Sequence, residues 1–328
     1  MEPEIARLLR NFWQETKLKH RKVAPIKPLS QCRFIRFNYS IGPSLRAGHY
    51  CVIKIPICYF LIMENSSSPP ASALISVQDR GKVRALVFNH PPSNNLSLSF
   101  FDALEAELAA AKANPNIRAV LLASSISKYF SAGLELSELF ASEEKTRARL
   151  FLRLVDLHRK LARFPKPTVA AIEGSAFLGG FVLSLGCDFR LIAEETGRVS
   201  LSEIRLGLSP TLPLISIVSA MSGRPGLVKD LILKGKTLRA GEALEAGLVD
   251  HIFPNSNFFE AALKEADKLA KLPPQAFLAI KTSLRAAILG DEEKLWQKGL
   301  EEFNALFSGE EAQEGVRAMF EKRKPKWE

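Results

Sequence analysis

A chain of 328 residues, 47% hydrophobic and 24% charged, can bury a large core and is neither disordered nor fibrous in composition. Its net charge of +10 is concentrated: residues 1–62 hold eleven Lys/Arg against three Glu, leaving 34 against 32 afterwards, which excludes a globally basic nucleic-acid surface. Four cysteines (Cys32, Cys51, Cys58 and Cys187) show no metal-like pairing, exclude a disulfide scaffold and suit a reducing compartment.

Residues 1–62 mix basic and aromatic side chains without helical or strand periodicity, apart from a short helix predicted over 5–19. The longest apolar run, Cys51 to Met63, is thirteen residues long and contains Lys54 and Pro56. A span needs about 20 apolar residues, so no membrane span is expected. The basic stretch before the run is too long for a signal peptide. Asn65-Ser66-Ser67-Ser68-Pro69-Pro70 reads as a linker. Residues 1–72 are therefore expected to be a basic extension and linker, disordered or absent from the native protein. The favoured reading is translation from Met63, leaving 266 residues. A partner-binding arm and an organelle-targeting segment are the alternatives, and Glu2, Glu4 and Glu15 count against the latter.

From residue 73 the pattern becomes regular. Residues 74–77 and 83–88 read as strands joined by a turn at Asp79-Arg80-Gly81. Residues 99–114 read as a helix, with Phe100, Leu104 and Leu108 on one face and Pro115 after its end. A strand over 118–123, a helix over 145–164 and a strand over 168–172 follow. Next come a short helix over 179–186 and a strand over 189–193. Strands alternating with helices indicate an α/β core, placed at 73–257. Residues 258–328 turn wholly helical, with helices near 258–271, 274–289, 291–307 and 310–322. Such a region packs on its own core or on a neighbouring subunit.

Several chemistries lack a signature. There is no P-loop, no GxGxxG after a strand and no GxSxG elbow. The five histidines are scattered, with no metal-ligand spacing. Cys187 lies in an apolar stretch and reads as a small buried residue.

Three segments carry candidate chemistry. In Ser131-Ala132-Gly133-Leu134-Glu135-Leu136, small residues after a strand allow a ligand close to the backbone. A plain strand-to-helix loop is the alternative. In Phe177-Leu178-Gly179-Gly180-Phe181, glycines stand where a strand ends and a helix begins, so free N–H groups could meet an oxyanion. Tight helix–strand packing is the other reading. In Ser202-Glu203-Ile204-Arg205-Leu206-Gly207-Leu208, Glu203 is a lone carboxylate among aliphatic residues. If buried, its pKa rises and it becomes a general base near neutral pH. If exposed, it pairs with Arg205 or Arg198.

In this order, the three segments resemble the crotonase superfamily, the enoyl-CoA hydratase/isomerase family, from about Leu74 to Trp327. The resemblance implies a spiral of ββα units forming two packed sheets, with a C-terminal helical region that mediates homotrimers or dimers of trimers. It implies an acyl-CoA substrate and no separate cofactor. It places backbone N–H groups of Leu134 and Gly180 around the thioester oxygen. Hydratases of the family carry two glutamates, whose positions here are Leu183 and Glu203. Loss of the first suits a reaction within one substrate. Asn89-His90-Pro91-Pro92-Ser93-Asn94-Asn95-Leu96-Ser97-Leu98, the SAGLEL loop and the GGFVLSLGCDFR stretch are similar to the mitochondrial-type Δ3,Δ2-enoyl-CoA isomerase branch. The dienoyl-CoA isomerase pattern is not met, because Leu183 and Thr211 stand where it has aspartates.

Further expectations follow from the resemblance. Asn94, Asn95 and Leu96, with Ala132, Gly133 and Gly179, would line the CoA groove. Lys128 would approach the nucleotide, and Lys322 a phosphate in its own or a neighbouring subunit's site. Phe181 and residues 212–217 would form the acyl pocket, and Leu183 would exclude water. No metal and no specific nucleic acid are expected. The C-terminus Lys-Pro-Lys-Trp-Glu lacks a peroxisomal signal, leaving a bacterial cytoplasm or a mitochondrial matrix.

Overall fold

A computed structural model of the chain describes residues 34–40, 50–56, 74–141, 144–289 and 291–327. Two compact units separate at Ser68/Pro69. In the first, β1 (Phe34–Ser40) and β2 (Tyr50–Pro56) pair antiparallel. That corrects the reading of this stretch as lacking strand periodicity. Ile35, Phe37 and Tyr39 do alternate with Arg36 and Asn38, and β-branched Val52, Ile53 and Ile55 favour the partner strand. The helix expected over 5–19, the linker and the proposed start at Met63 lie outside the described residues.

The second unit begins with β3 (Ile75–Arg80) and β4 (Val83–Phe88), joined by a turn at Gly81. Next come α1 (Leu98–Ala113), β5 (Ala119–Ser124) and β6 (Tyr129–Ser131). Ser97 caps α1, its Oγ accepting from Phe100 N at 3.1 Å. Helices α2 (Leu136–Ala141) and α3 (Glu144–Ala162) lead to β7 (Thr168–Ile172) and β8 (Ser175–Phe177). Then come α4 (Gly179–Leu185), β9 (Phe189–Ala193) and β10 (Arg198–Ser200). A 3-10 turn (Glu203–Leu206) precedes α5 (Leu212–Met221), α6 (Pro225–Leu233), β11 (Leu238–Arg239), α7 (Ala240–Glu245) and β12 (His251–Phe253). Four helices close the chain: α8 (Phe258–Ala270), α9 (Pro274–Leu289), α10 (Glu292–Phe307) and α11 (Glu310–Phe320).

Two sheets result. One has six strands in the order β12-β9-β7-β5-β4-β3, parallel except for the β3/β4 hairpin. The other has four short strands in the order β11-β10-β8-β6, with β6, β8 and β10 parallel.

Side chains of the larger sheet alternate between two apolar layers, as the two-residue period requires. Ala85, Val87, Leu121, Val169 and Leu191 face α8 through its Phe258, Ala262, Leu263 and Ala266. Leu86, Phe88, Leu122, Ile172 and Ile192 face the main core, with α1, α3 and α4. Trp296, Phe303 and Phe307 of α10 and Val316 of α11 join that core, and Phe303 stacks on Phe151 at 4.1 Å. So α8, α10 and α11 of the region assigned to oligomer contacts pack on their own chain. Helix α9 leaves Ile280 and Leu284 exposed. No helix of the described residues is long and apolar enough to cross a membrane.

Candidate active site

Three loops leave the smaller sheet along one edge, because β6, β8 and β10 run parallel and adjacent. After β6 comes Ala132-Gly133-Leu134. After β8 comes Leu178-Gly179-Gly180. After β10 comes Ser202-Glu203. The carboxyl edge of parallel strands is where open α/β sheets commonly hold ligands.

The first two loops touch. A Cβ added to Gly179 would lie 3.4 Å from Leu134 N, and one on Gly133 would lie 3.1 Å from Gly179 N. Gly133 has φ +103, a conformation that glycine tolerates and other residues resist. Gly180 packs α4 against β6 so closely that a Cβ would stand 2.3 Å from Ser131 O. Among the described residues no acceptor takes the N–H of Leu134 or of Gly180. Helix α4 starts without a side-chain cap, on Leu178 at φ +50 and ψ −125. Leu178 N donates to Ser200 O at 2.9 Å, tying this loop to β10. Backbone strain held beside unbonded donors is a common property of ligand sites.

Glu203 opens the 3-10 turn that follows β10. The residue is partly exposed, yet its Oε2 is sealed from solvent and has no hydrogen-bond partner. Burial pushes its pKa up to about 8, against a small lowering by a backbone hydrogen bond of its own. The buried alternative therefore holds, and neither Arg205 nor Arg198 pairs with it. Gly207, at φ +69, ends the turn in the left-handed conformation. A Cβ there would stand 2.5 Å from Glu311 of α11. From the other side, a Cβ on Gly315 would meet Leu206 at 2.6 Å. Helix α11 thus closes over the turn that carries Glu203.

The other expected site residues divide. Asn94 is fully buried, and its carboxamide is consumed within the protein. Oδ1 accepts from His90 N at 2.8 Å, while Nδ2 donates to Ser124 Oγ at 2.8 Å and Phe130 O at 3.1 Å. Its side chain clamps the loop rather than lining a groove. Asn95 donates to Glu135 Oε2 at 3.0 Å and accepts from Ser93 Oγ. Leu96, also buried, forms an isolated parallel bridge with Leu134, and Ala132 N donates to Ser93 O at 3.0 Å. Phe181 and Leu183 are fully buried in the main core. Lys128 is exposed with Nζ 5.4 Å over the Tyr129 ring. Lys322 is exposed just beyond α11, its N–H donating to Met319 O. Burial pushes Cys187 up to about 12, so it stays a thiol.

Sequence reasoning missed four polar groups around these loops. Ser131 Oγ accepts from Gly133 N at 3.2 Å and donates to Asn94 O at 2.7 Å. Ser200 Oγ and Thr211 Oγ1 are buried without partners, and Thr211 has φ +74. His158 Nδ1 meets Val182 O of α4 at 2.8 Å. Burial, reinforced by Arg285, pushes that imidazole down to about 3, so it is neutral and donates. A signal existed for Asn94, since Asn after a Pro-Pro-Ser stretch favours left-handed turns. None marked the serines.

Comparison with known proteins agrees over the same region. The family model for enoyl-CoA hydratase/isomerase matches residues 79–328. The chain is 32% identical to 2,3-dehydroadipyl-CoA hydratase of Escherichia coli, across 77% of this chain and 96% of that protein. The structure of methylmalonyl-CoA decarboxylase with 2-nitronate-propionyl-CoA aligns at TM-score 0.69 and 28% identity, over 78% of this chain and 98% of that one. Human mitochondrial delta3-delta2-enoyl-CoA isomerase aligns at TM-score 0.71 and 25% identity, over 76% and 97%. The expected fold, two mixed sheets followed by C-terminal helices, is the fold these structures share. The relatives perform hydration, decarboxylation and isomerisation, so likeness alone selects no reaction.

Proposed function

The chain belongs to the enoyl-CoA hydratase/isomerase family, and from that premise we propose that it moves a 3,4 double bond of an acyl-CoA thioester to the 2,3 position. Glu203 takes a proton from C2. The released electron pair delocalises as a dienolate over the thioester oxygen, C2 and C4, and as the C2–C3 double bond forms the C3–C4 π pair moves onto C4. The N–H groups of Leu134 and Gly180 hold that oxygen, and such a donor contributes about 2.7–4 kcal/mol. Glu203 then returns the proton at C4, so the reaction is balanced without a co-reactant.

The observation that carries this reading is one carboxyl group, Glu203, whose sealed Oε2 has no partner and whose pKa is raised to about 8. Such a group is both a competent base and, once protonated, a competent acid near neutral pH. Hydration would need a second group to deliver a proton, and fully buried Leu183 fills that place. The hydrophobic wall favours keeping the proton on Glu203 between the two transfers. A trimeric assembly belongs to the same reading, since the exposed apolar side chains of α9 would be covered in it.

The test is incubation with a 3-enoyl-CoA while following the ultraviolet absorbance of the conjugated 2-enoyl thioester. Conjugation by wild type, lost in Glu203→Gln, is the expected result. A hydrated product would reject the isomerase in favour of hydration, and no conjugation by protein that binds CoA thioesters would reject it in favour of another thioester reaction or a catalytically silent acyl-CoA binder.

A further inference from the structure

We infer that Ser131 and Asn94 are positioning residues that aim the Leu134 N–H, an inference that rests on this N–H receiving the thioester oxygen. The peptide joining Gly133 to Leu134 is planar, so its C=O and N–H point in opposite directions. Gly133 O accepts from Leu96 N at 2.8 Å. The Leu134 N–H must therefore point away from Leu96, and on its far side stands the start of α4, as the Gly179 approach shows.

That orientation depends on a left-handed Gly133, which has many other conformations available. Its N–H is held by Ser131 Oγ, and the same oxygen donates to Asn94 O. Asn94 in turn sits at φ +51, fully buried, where its carboxamide spans from His90 N to Ser124 Oγ and Phe130 O. One chain of hydrogen bonds thus runs from β5 and β6, through Asn94 and Ser131, to the peptide that precedes the Leu134 donor. Leu96, two residues after Asn94, holds the carbonyl of the next peptide, the one that carries the Leu134 N–H. The Ser131 hydroxyl and the Asn94 carboxamide are both fully engaged within the protein, so they act through the backbone rather than on the substrate. Nothing in the composition of the SAGLEL loop shows this, because the clamp comes from a loop 37 residues earlier.

The experiment compares Ser131→Ala and Asn94→Gly with wild type. Asn94→Gly keeps the left-handed backbone accessible and removes the side chain with its carboxamide. Three quantities are read: kcat and KM for conjugation of a 3-enoyl-CoA, the infrared carbonyl band of bound 2-enoyl-CoA, and thermal unfolding. Ser131→Ala is expected to lower kcat about 10- to 100-fold while KM changes less than about threefold. The carbonyl band should move back toward its position in free thioester, and Asn94→Gly should shift both in the same direction. Folded variants whose band stays at the wild-type position would overturn the inference. So would loss of the fold in both variants, which would make the clamp purely structural. If wild type polarises the bound carbonyl yet does not conjugate 3-enoyl-CoA, the isomerase reading falls. The band shift still decides the positioning.

Discussion

Glu203 and Glu292 are both carboxylates drawn out of water, and their surroundings are opposite. Around Glu292, burial opposes ionisation, but Arg285, Arg163 and Trp296 donate to it and pull its pKa down to about 2. Around Glu203, burial acts with almost nothing against it, and the pKa rises to about 8. The first glutamate locks α10 to α3 and α9 by charge-assisted hydrogen bonds. The second has no partner for its sealed Oε2, and an unsatisfied buried polar atom persists only where something offsets its cost. The difference separates a group tied into the fold from one whose surroundings suit the proton transfers proposed for it.

The largest effect should come from Glu203→Gln, with kcat for conjugation falling by about 10³ or more while KM stays within an order of magnitude. An equal loss from Glu292→Gln would erase the distinction. Stability should show the reverse ranking. Glu292→Gln leaves the largely buried Arg285 guanidinium under-paired and should cost about 2–4 kcal/mol in denaturant unfolding, with kcat spared below the transition.

The pH dependences sharpen the contrast because their signs differ. The pKa of Glu292 is depressed, so its contribution is present above the ordinary 4.5 and is lost as pH falls toward 2. The pKa of Glu203 is raised, so the folded state loses stability as pH rises from 4.5 through about 8. Melting curves at pH 9 should therefore favour Glu203→Gln over wild type. Activity should rise toward the same pKa as the base ionises, and a flat kcat/KM between pH 6 and 9 would contradict the base assignment.

Gly180→Ala tests the donor side. A Cβ 2.3 Å from Ser131 O must displace α4 or β6, and kcat should fall about 10²-fold. The smallest effect should be that of His158→Gln. Neutral His158 must take up a proton on acid unfolding, so stability is lost as pH falls from 6.5 toward about 3. The variant should flatten that slope by about one proton, as read from unfolding against pH.

Much of the larger sheet could be read in advance. Strands β4, β5, β7 and β9 are runs such as Thr168-Val169-Ala170-Ala171-Ile172, apolar on both faces because both are covered. The smaller sheet was not legible. Strands β6, β8, β10 and β11 span two or three residues each, too short for a period to show. Helix α5 was missed because Leu-Pro-Leu-Ile-Ser-Ile-Val mixes helix and strand formers. At the site, Glu203 and the two glycine loops stood out as a carboxylate among leucines and as small residues after strands. Asn94 stood out as part of a groove loop, but that its carboxamide braces this loop from within depends on what it touches across the fold.

By itself the sequence determined the family, the α/β core with its helical end, and the placing of one carboxylate, Glu203, among leucines and isoleucine. Those are properties of residue type and order, and they survive without coordinates. Only the tertiary structure decided that Glu203 Oε2 has no partner, that the loops of Leu134 and Gly180 meet, and that Asn94 and Ser131 stand behind one of them. Each depends on which distant groups share a place once β6, β8 and β10 lie parallel. A pKa is raised by the water and partners a carboxylate lacks, and a donor is aimed by the bonds on the other side of its peptide.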